Sequence, residues 1–134
     1  MDQDKTAQTT RPARKVLCIE DEFFIGELYA RSLNKAGYQI KVVVDGAAGL
    51  KEAQTDQYDI ILLDLMIPNM TGVDILKALR DPAKTPHLKA KIIITTNLEQ
   101  KEETRDAIEH QADGYVIKAE ITPKQLVEIL DSIE

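Results

Sequence analysis

The sequence predicts an α/β fold, a doubly wound five-stranded parallel sheet flanked by five helices. Three observations support this prediction. Short runs rich in Val, Ile and Leu recur along the chain, and such runs are typical of strands buried on both faces. Amphipathic stretches of helical period separate them. Strands and helices that alternate in this way are joined by right-handed crossovers, and these give a parallel sheet with helices on both faces.

The five predicted strands share short apolar runs and are spaced by stretches long enough for a helix. They are Lys15–Ile19, Gln39–Val44, Ile60–Asp64, Lys91–Thr96 and Gly114–Ile117.

The helices are predicted from apolar spacing and from end signals. In the first helix Phe24, Leu28 and Leu33 recur near helical spacing, and Gly37 is a plausible stop. The last helix begins at Thr122, where Thr is the N-cap, Pro follows at N1 and a glutamine at N3 resembles a capping box. The other three are predicted at Ala47–Gln54, Val73–Leu79 and Gln100–Gln111.

Length and composition indicate one domain. With 134 residues the chain has room for a single core, which we expect over residues 15–134, whereas residues 1–14 are polar and are predicted to be a disordered tail. The net charge of −6 argues against nucleic-acid binding by this domain. No apolar stretch approaches the roughly 20 residues that cross a bilayer. The one cysteine, Cys18, lies in an apolar run, so we expect a buried thiol and a cytoplasmic protein.

Acidic residues follow two of the predicted strands. Glu20 and Asp21 come after the first strand, and Asp64 ends the third. The carboxyl ends of parallel strands meet at one rim of the sheet, where ligands bind. Clustered carboxylates repel one another, so they usually hold a cation or a proton. The pattern therefore predicts a Mg²⁺ site, and Mg²⁺ in proteins commonly accompanies phosphate.

Two further strand ends supply polar groups to the same rim. The fourth strand ends at Thr95-Thr96, and the fifth leads directly into Lys118. A carboxylate can act as a nucleophile, a hydroxyl can hydrogen-bond a phosphoryl oxygen, and an ammonium can pair with it. These residues predict chemistry on a phosphoryl group.

The chain resembles the receiver domain of two-component response regulators, including the stand-alone receivers of chemotaxis, over essentially all of Lys15–Glu134. The matching segments are Ile19-Glu20-Asp21-Glu22, the run from Asp64 to Gly72 (DLMIPNMTG), the threonine that ends the fourth strand, and Gly114-Tyr115-Val116-Ile117-Lys118. The resemblance implies a flavodoxin-like (βα)5 fold in which Asp64 accepts a phosphoryl group from a sensor histidine kinase.

The resemblance also implies the roles of the other site residues. Asp21, Asp64 and the backbone carbonyl of Met66 would hold Mg²⁺ directly, and Glu20 would act through a metal-bound water. Lys118 would pair first with Asp64 and then with the phosphate.

The threonine and a tyrosine would form the switch. Counting back from Lys118 places the family threonine at Thr96, whereas counting forward along the fourth strand permits Thr95. Neighbouring strand residues point to opposite faces, so only one of the two can reach the site, and we expect it to be Thr96. Tyr115 would turn inward when the threonine moves toward phosphate.

Three residues depart from the family pattern. Asn97 follows the threonine where a very small residue is usual, and it could narrow access or donate a hydrogen bond. Ala119 follows the lysine in place of a proline, so we expect a trans peptide bond and an altered loop. Glu20 stands where aspartate is commoner.

The expected function is a phosphorylation-controlled switch that catalyses only its own phosphorylation and dephosphorylation. Its fourth helix, fifth strand and fifth helix would signal to a downstream protein target or a phosphatase, and the same face could form a homodimer. Three alternatives remain open at this point. They are a degenerate receiver that only binds a partner, a haloacid-dehalogenase-like phosphatase, which would need an acid at the position of Met66, and a flavodoxin-like cofactor-binding module.

Overall fold

The computed structural model describes residues 14–97 and 101–133, apart from the side chains of residues 103, 104 and 107. The predicted tail 1–14 therefore lies outside the described residues except for Arg14. The Arg14 carbonyl accepts a hydrogen bond from the Gln39 amide at 2.9 Å. Arg14, which the prediction assigned to the tail, thus pairs with the start of the second strand.

Within these described ranges the chain forms five strands and five α-helices in strict alternation. The strands are β1 (Lys15–Ile19), β2 (Gln39–Val43), β3 (Ile60–Asp64), β4 (Lys91–Thr96) and β5 (Gly114–Ile117). The helices are α1 (Phe23–Lys35), α2 (Gly46–Ala53), α3 (Gly72–Arg80), α4 (Glu102–Glu109) and α5 (Pro123–Asp131). The strands form one parallel sheet in the order β2-β1-β3-β4-β5. The predicted fold class is confirmed, and β2 ends one residue earlier than predicted.

Each face of the sheet has its own apolar core. Leu17 and Ile19 of β1 belong to the core on one face, whereas Val16 and Cys18 belong to the core on the other. All four are at most 1% exposed. Two buried faces explain why the strands are continuous apolar runs rather than alternating ones. The predicted burial of the Cys18 thiol is confirmed.

The buried face of α1 differs from the prediction. Phe24 and Leu28 are 79% and 48% exposed, whereas Tyr29 and Leu33 are buried. The reason lies at Gly26, where an added Cβ would come within 3.0 Å of a Val42 side-chain carbon. Gly26 is buried and faces β2, and Phe24, two positions earlier in the helix, therefore lies on the opposite side, away from the core.

The helix ends agree with the signals in the sequence. Thr122 accepts a hydrogen bond from the Gln125 amide at 3.1 Å, and the Gln125 side chain accepts one from the Thr122 amide at 2.8 Å. This is the predicted capping box of α5. After α1, Gly37 has a φ of +100°, which favours glycine and ends the helix.

Gly72 at the start of α3 fixes the loop that follows β3. A Cβ at this position would lie 2.2 Å from the Asp64 carbonyl oxygen and 2.6 Å from the Leu65 Cα. The Gly72 amide also donates to the Leu65 carbonyl at 3.0 Å. Only a residue without a side chain allows α3 to begin so close to the end of β3.

The sheet order determines which residues meet at the carboxyl rim. β3 lies between β1 and β4, and β5 follows β4 at the edge. Asp64 at the end of β3 is therefore flanked by the residues that follow β1 and β4. Over the described part of the chain, no helix has the length and apolar character needed to span a membrane.

Candidate functional site

The predicted acids and the predicted lysine meet at the carboxyl rim. The Lys118 Nζ lies 2.5 Å from Glu20 Oε1 and 3.1 Å from Asp64 Oδ2. The side chains of all three residues are at most 5% exposed. One ammonium thus bridges two buried carboxylates that come from different strands, and its contact with Asp64 was expected.

Both buried carboxylates are also held by backbone amides. The Glu22 amide donates to Glu20 Oε2 at 3.0 Å, and the Met66 amide donates to Asp64 Oδ1 at 3.1 Å. Each acid therefore accepts one hydrogen bond from Lys118 and one from the amide two residues later. The two carboxylates are oriented by the backbone at the ends of β1 and β3.

Burial and charge act in opposite directions on these groups. Burial raises the pKa of Glu20 to about 7, although the hydrogen bonds from Lys118 and from the Glu22 amide oppose the shift. Burial alone would lower the pKa of Lys118, but the hydrogen bond to Glu20 and the charge of Asp64 outweigh it and raise that pKa. The lysine therefore stays protonated, and the pocket carries a net negative charge when both acids are ionised.

Three carboxylates are close enough to share a cation. Glu20, Asp21 and Asp64 each offer an oxygen, and these oxygens lie within 4.8 Å of one another. Asp21 is exposed, so the cluster opens to solvent on one side. Hard carboxylate oxygens beside open space for water suit Mg²⁺, which keeps several waters when it binds to protein. The residues present therefore fit a magnesium ion.

Met66 lies beside this cluster and is 76% exposed. Its amide is already used by Asp64. That its carbonyl also binds the metal stays a prediction.

The two candidate threonines are both buried but lie on opposite faces of β4. Thr95 is paired with Asp64 in the sheet register. Thr96 lies one residue nearer the rim and is paired with Ile117, directly before Lys118. They are 2% and 1% exposed. The choice between them stays a prediction, since Thr95 is level with the acid and Thr96 is nearer the open end.

Tyr115 shares the sheet face of Thr96. It is paired with Ile94, which lies two residues before Thr96, and alternate residues of a strand point to the same side. The guanidinium of Arg105 on α4 lies 5.0 Å from the centre of the Tyr115 ring. Arg105 also pairs with Glu109 at 2.9 Å. The half-buried tyrosine is thus covered by a cation from the neighbouring helix.

The departures from the family pattern have structural counterparts. Every peptide bond in the described residues is trans, as we expected for Lys118–Ala119, and a short 3₁₀ turn spans Lys118–Glu120. The Asn97 side-chain amide lies 3.5 Å from Glu22 Oε1, so it donates a hydrogen bond across the rim.

Two contacts were missed by reasoning from the sequence. Glu20 was expected to act through a metal-bound water, and in the structure it is also the nearer of the two carboxylates to Lys118. Its extra methylene relative to aspartate was the available signal. The Glu22–Asn97 contact joins residues 75 positions apart, and nothing in the spacing indicated it.

Comparison with known proteins gives the same family for most of the chain. The family model described as response regulator receiver domain matches residues 16–131. Response regulator ArlR of Staphylococcus saprophyticus is 34% identical over 104 residues, which are 78% of this chain and 45% of that protein. Sensory transduction protein RegX3 of Mycobacterium bovis is 38% identical over 103 residues, which are 77% of this chain and 43% of that protein. The chain thus spans less than half the length of these relatives.

A solved structure is similar over nearly the whole chain. The chemotaxis protein CheY4 of Vibrio cholerae aligns with a TM-score of 0.76 at 27% identity, covering 91% of this chain and 99% of that one. The two chains therefore share the fold described above.

Proposed function

This chain belongs to the family of response regulator receiver domains of two-component signalling, and we propose that Asp64 is its phosphoryl acceptor. The observation that supports this choice most directly is the contact between Lys118 Nζ and Asp64 Oδ2 at 3.1 Å. Asp64 is 4% exposed and lies at the rim of the sheet between the ends of β1 and β4. The Lys118 ammonium donates to Asp64 Oδ2, and the Met66 backbone amide donates to Asp64 Oδ1.

The reaction is a displacement at phosphorus. An Asp64 carboxylate oxygen forms a bond to the phosphorus of a phosphohistidine on a sensor histidine kinase. The phosphorus–nitrogen bond breaks, and its electron pair returns to the imidazole nitrogen of the donor. The Met66 amide keeps the acceptor carboxylate in one orientation, so that less freedom has to be lost before the transfer.

Lys118 has two successive partners in this scheme. Before transfer it contacts both Asp64 and Glu20. After transfer it pairs with the phosphoryl oxygens, where it stabilises their negative charge. A bound Mg²⁺ held at Glu20, Asp21 and Asp64 would supply further neutralisation of the charge on the phosphoryl oxygens.

Phosphorylation would change the conformation of the face formed by α4, β5 and α5, and a partner would bind there. The buried hydroxyl of Thr96 would turn toward the phosphoryl group and leave space for Tyr115 on the same face of the sheet. Arg105 would have to release the Tyr115 ring in the same transition. The protein that binds this face would be a downstream target or a phosphatase. We propose that this binding takes place in the cytoplasm, where a free buried thiol such as Cys18 is common.

The test uses the mass of the intact chain after incubation with a small acyl phosphate and Mg²⁺. We expect the wild type to gain one phosphoryl group and Asp64→Asn to gain none. Asp74→Asn, which changes an exposed acid in the first turn of α3, is the matched control and should be labelled like the wild type. Label on Asp64→Asn would show that another residue is the acceptor.

A further inference from the structure

Asn97 occupies a position that the proposed mechanism does not use. It is the first residue after β4, where the family resemblance leads us to expect a very small side chain. It is exposed, and its Nδ2 lies 3.5 Å from Glu22 Oε1. The partner, Glu22, is the N-cap residue of α1 but makes no side-chain capping hydrogen bond, so its carboxylate is directed elsewhere.

The sheet order determines what this contact spans. Glu22 follows β1, Asn97 follows β4, and β3 with Asp64 lies between these two strands. Neighbouring strands are about 4.8 Å apart, so the contact joins the ends of two strands that are about 10 Å apart, with the end of β3 between them. The Glu22 amide is bonded to the Glu20 carboxylate, which anchors this end of the contact in the site. The two side chains therefore form a bridge between the segments that follow β1 and β4, on either side of the strand that carries Asp64.

We propose that the Glu22–Asn97 bridge is a selectivity element, which hinders small phosphodonors and water at Asp64 and opens for a docked protein donor. This inference rests on Asp64 being the acceptor. Asn97 and Glu22 would then determine which donors react with Asp64, and they would take no part in forming the new bond.

The chemistry of the two side chains supports a barrier that is selective rather than closed. Both are exposed and their contact is at the long end for a hydrogen bond, so the bridge is weak. A protein that docks on this rim can replace the contact with polar groups of its own, whereas a small donor cannot.

The same bridge would slow the loss of the phosphoryl group. In hydrolysis a water oxygen forms a bond to phosphorus, the bond from phosphorus to the Asp64 oxygen breaks, and the water proton passes to solvent. The products are inorganic phosphate and the free carboxylate. Water has to approach from the open side, which the bridge narrows.

The test compares the wild type, Asn97→Ala, Glu22→Ala and the double variant. The rate of phosphorylation by acetyl phosphate with Mg²⁺ is measured by mass, and the loss of label is followed after the donor is removed. We expect each single variant to be about two- to fivefold faster in both reactions, as befits one weak exposed hydrogen bond. The double variant should be no faster than the faster single one, because both changes remove the same contact.

Three controls make the result specific. Glu27→Ala, which removes another exposed acid of α1, should react at the wild-type rate. Glu22→Gln removes the charge but keeps an oxygen that can accept a hydrogen bond from Asn97, so its phosphorylation rate should stay close to that of the wild type. A rate equal to that of Glu22→Ala would overturn the bridge and indicate charge repulsion instead. The side-chain amide resonance of Asn97 should shift in Glu22→Ala, and an unmoved resonance would also overturn it.

The outcomes separate this inference from the proposed function. Equal rates in all variants with normal labelling would overturn the bridge alone. Additive effects of the two single changes would do the same, since they would mean independent sites. A wild type that takes no label would overturn the acceptor assignment and this inference with it.

Discussion

Replacing Lys118 with methionine removes the cation that two buried carboxylates share. The Lys118 Nζ lies 2.5 Å from Glu20 and 3.1 Å from Asp64, and all three side chains are almost completely buried. Methionine keeps an unbranched apolar chain in the same space, so the change tests charge more than packing. Without the cation, two negative groups would face each other in a site with little water.

The expected loss of stability is large and depends on pH. Removing one partner of a buried ion pair costs about 3–5 kcal/mol. Because the pKa of Glu20 is already raised to about 7, one carboxylate can take up a proton and relieve part of the repulsion. We therefore expect a loss of about 3 kcal/mol in the free energy of unfolding at pH 8 and a clearly smaller loss at pH 6. Mg²⁺ should restore part of it at pH 8, since binding to the folded state alone stabilises that state.

Urea unfolding followed by far-ultraviolet circular dichroism measures these differences. Both proteins are unfolded at pH 6 and pH 8, with and without Mg²⁺. Lys124→Met, at an exposed position of α5, is the matched control and should change stability by no more than about 0.5 kcal/mol. A Lys118→Met variant as stable as the wild type at pH 8 without Mg²⁺ would refute the view that this ammonium compensates the two acids.

Three other predictions concern the same region. Thr96→Val should slow phosphorylation of Asp64 by acetyl phosphate at least about tenfold, because it removes the hydroxyl that binds the phosphoryl group. Thr95→Val should slow the reaction much less, and a larger effect of Thr95→Val would assign the role to Thr95. Without Mg²⁺, the Glu20 carboxyl should stabilise the folded state below pH 4.5, and this contribution should be lost as the pH rises toward about 7, because its pKa in the folded protein lies above the ordinary value of 4.5. The difference in urea midpoint between wild type and Glu20→Gln, compared at pH 5 and pH 8, isolates this effect. A difference that does not change with pH would contradict it. Burial raises the pKa of the Cys18 thiol, so a thiol reagent at pH 8 should label the native protein far more slowly than the urea-unfolded protein, and equal rates would count against this.

The strands and the position of Asp64 at the rim were predictable because local sequence determines them. An apolar run such as Ile60–Leu63 has one plausible place in a parallel sheet, and the acid at its end is then carried to the rim. The capping box at Thr122 is equally local, because its partners are three residues apart.

The features that the sequence did not predict are the buried face of α1 and the contact of Glu20 with Lys118. Both depend on how separate helices and strands pack together. The buried face of α1 includes Gly26, which packs against Val42 of β2, and the apolar spacing of Phe24 and Leu28 did not indicate this contact. The pairing of Glu20 with Lys118 requires β1 and β5 to direct side chains toward the same point, although they are not neighbours in the sheet.

The distance along the chain between Glu20 and Lys118 bears on synthesis. Their side chains touch although 98 positions separate them. A ribosome-bound chain that stops short of β5 holds both acids without their shared counter-ion, and it also lacks Val116, Leu126 and Leu130 from one of its two cores. The growing polypeptide should therefore be inert toward phosphodonors until β5 and α5 have left the exit tunnel, which protects an incomplete product from premature modification.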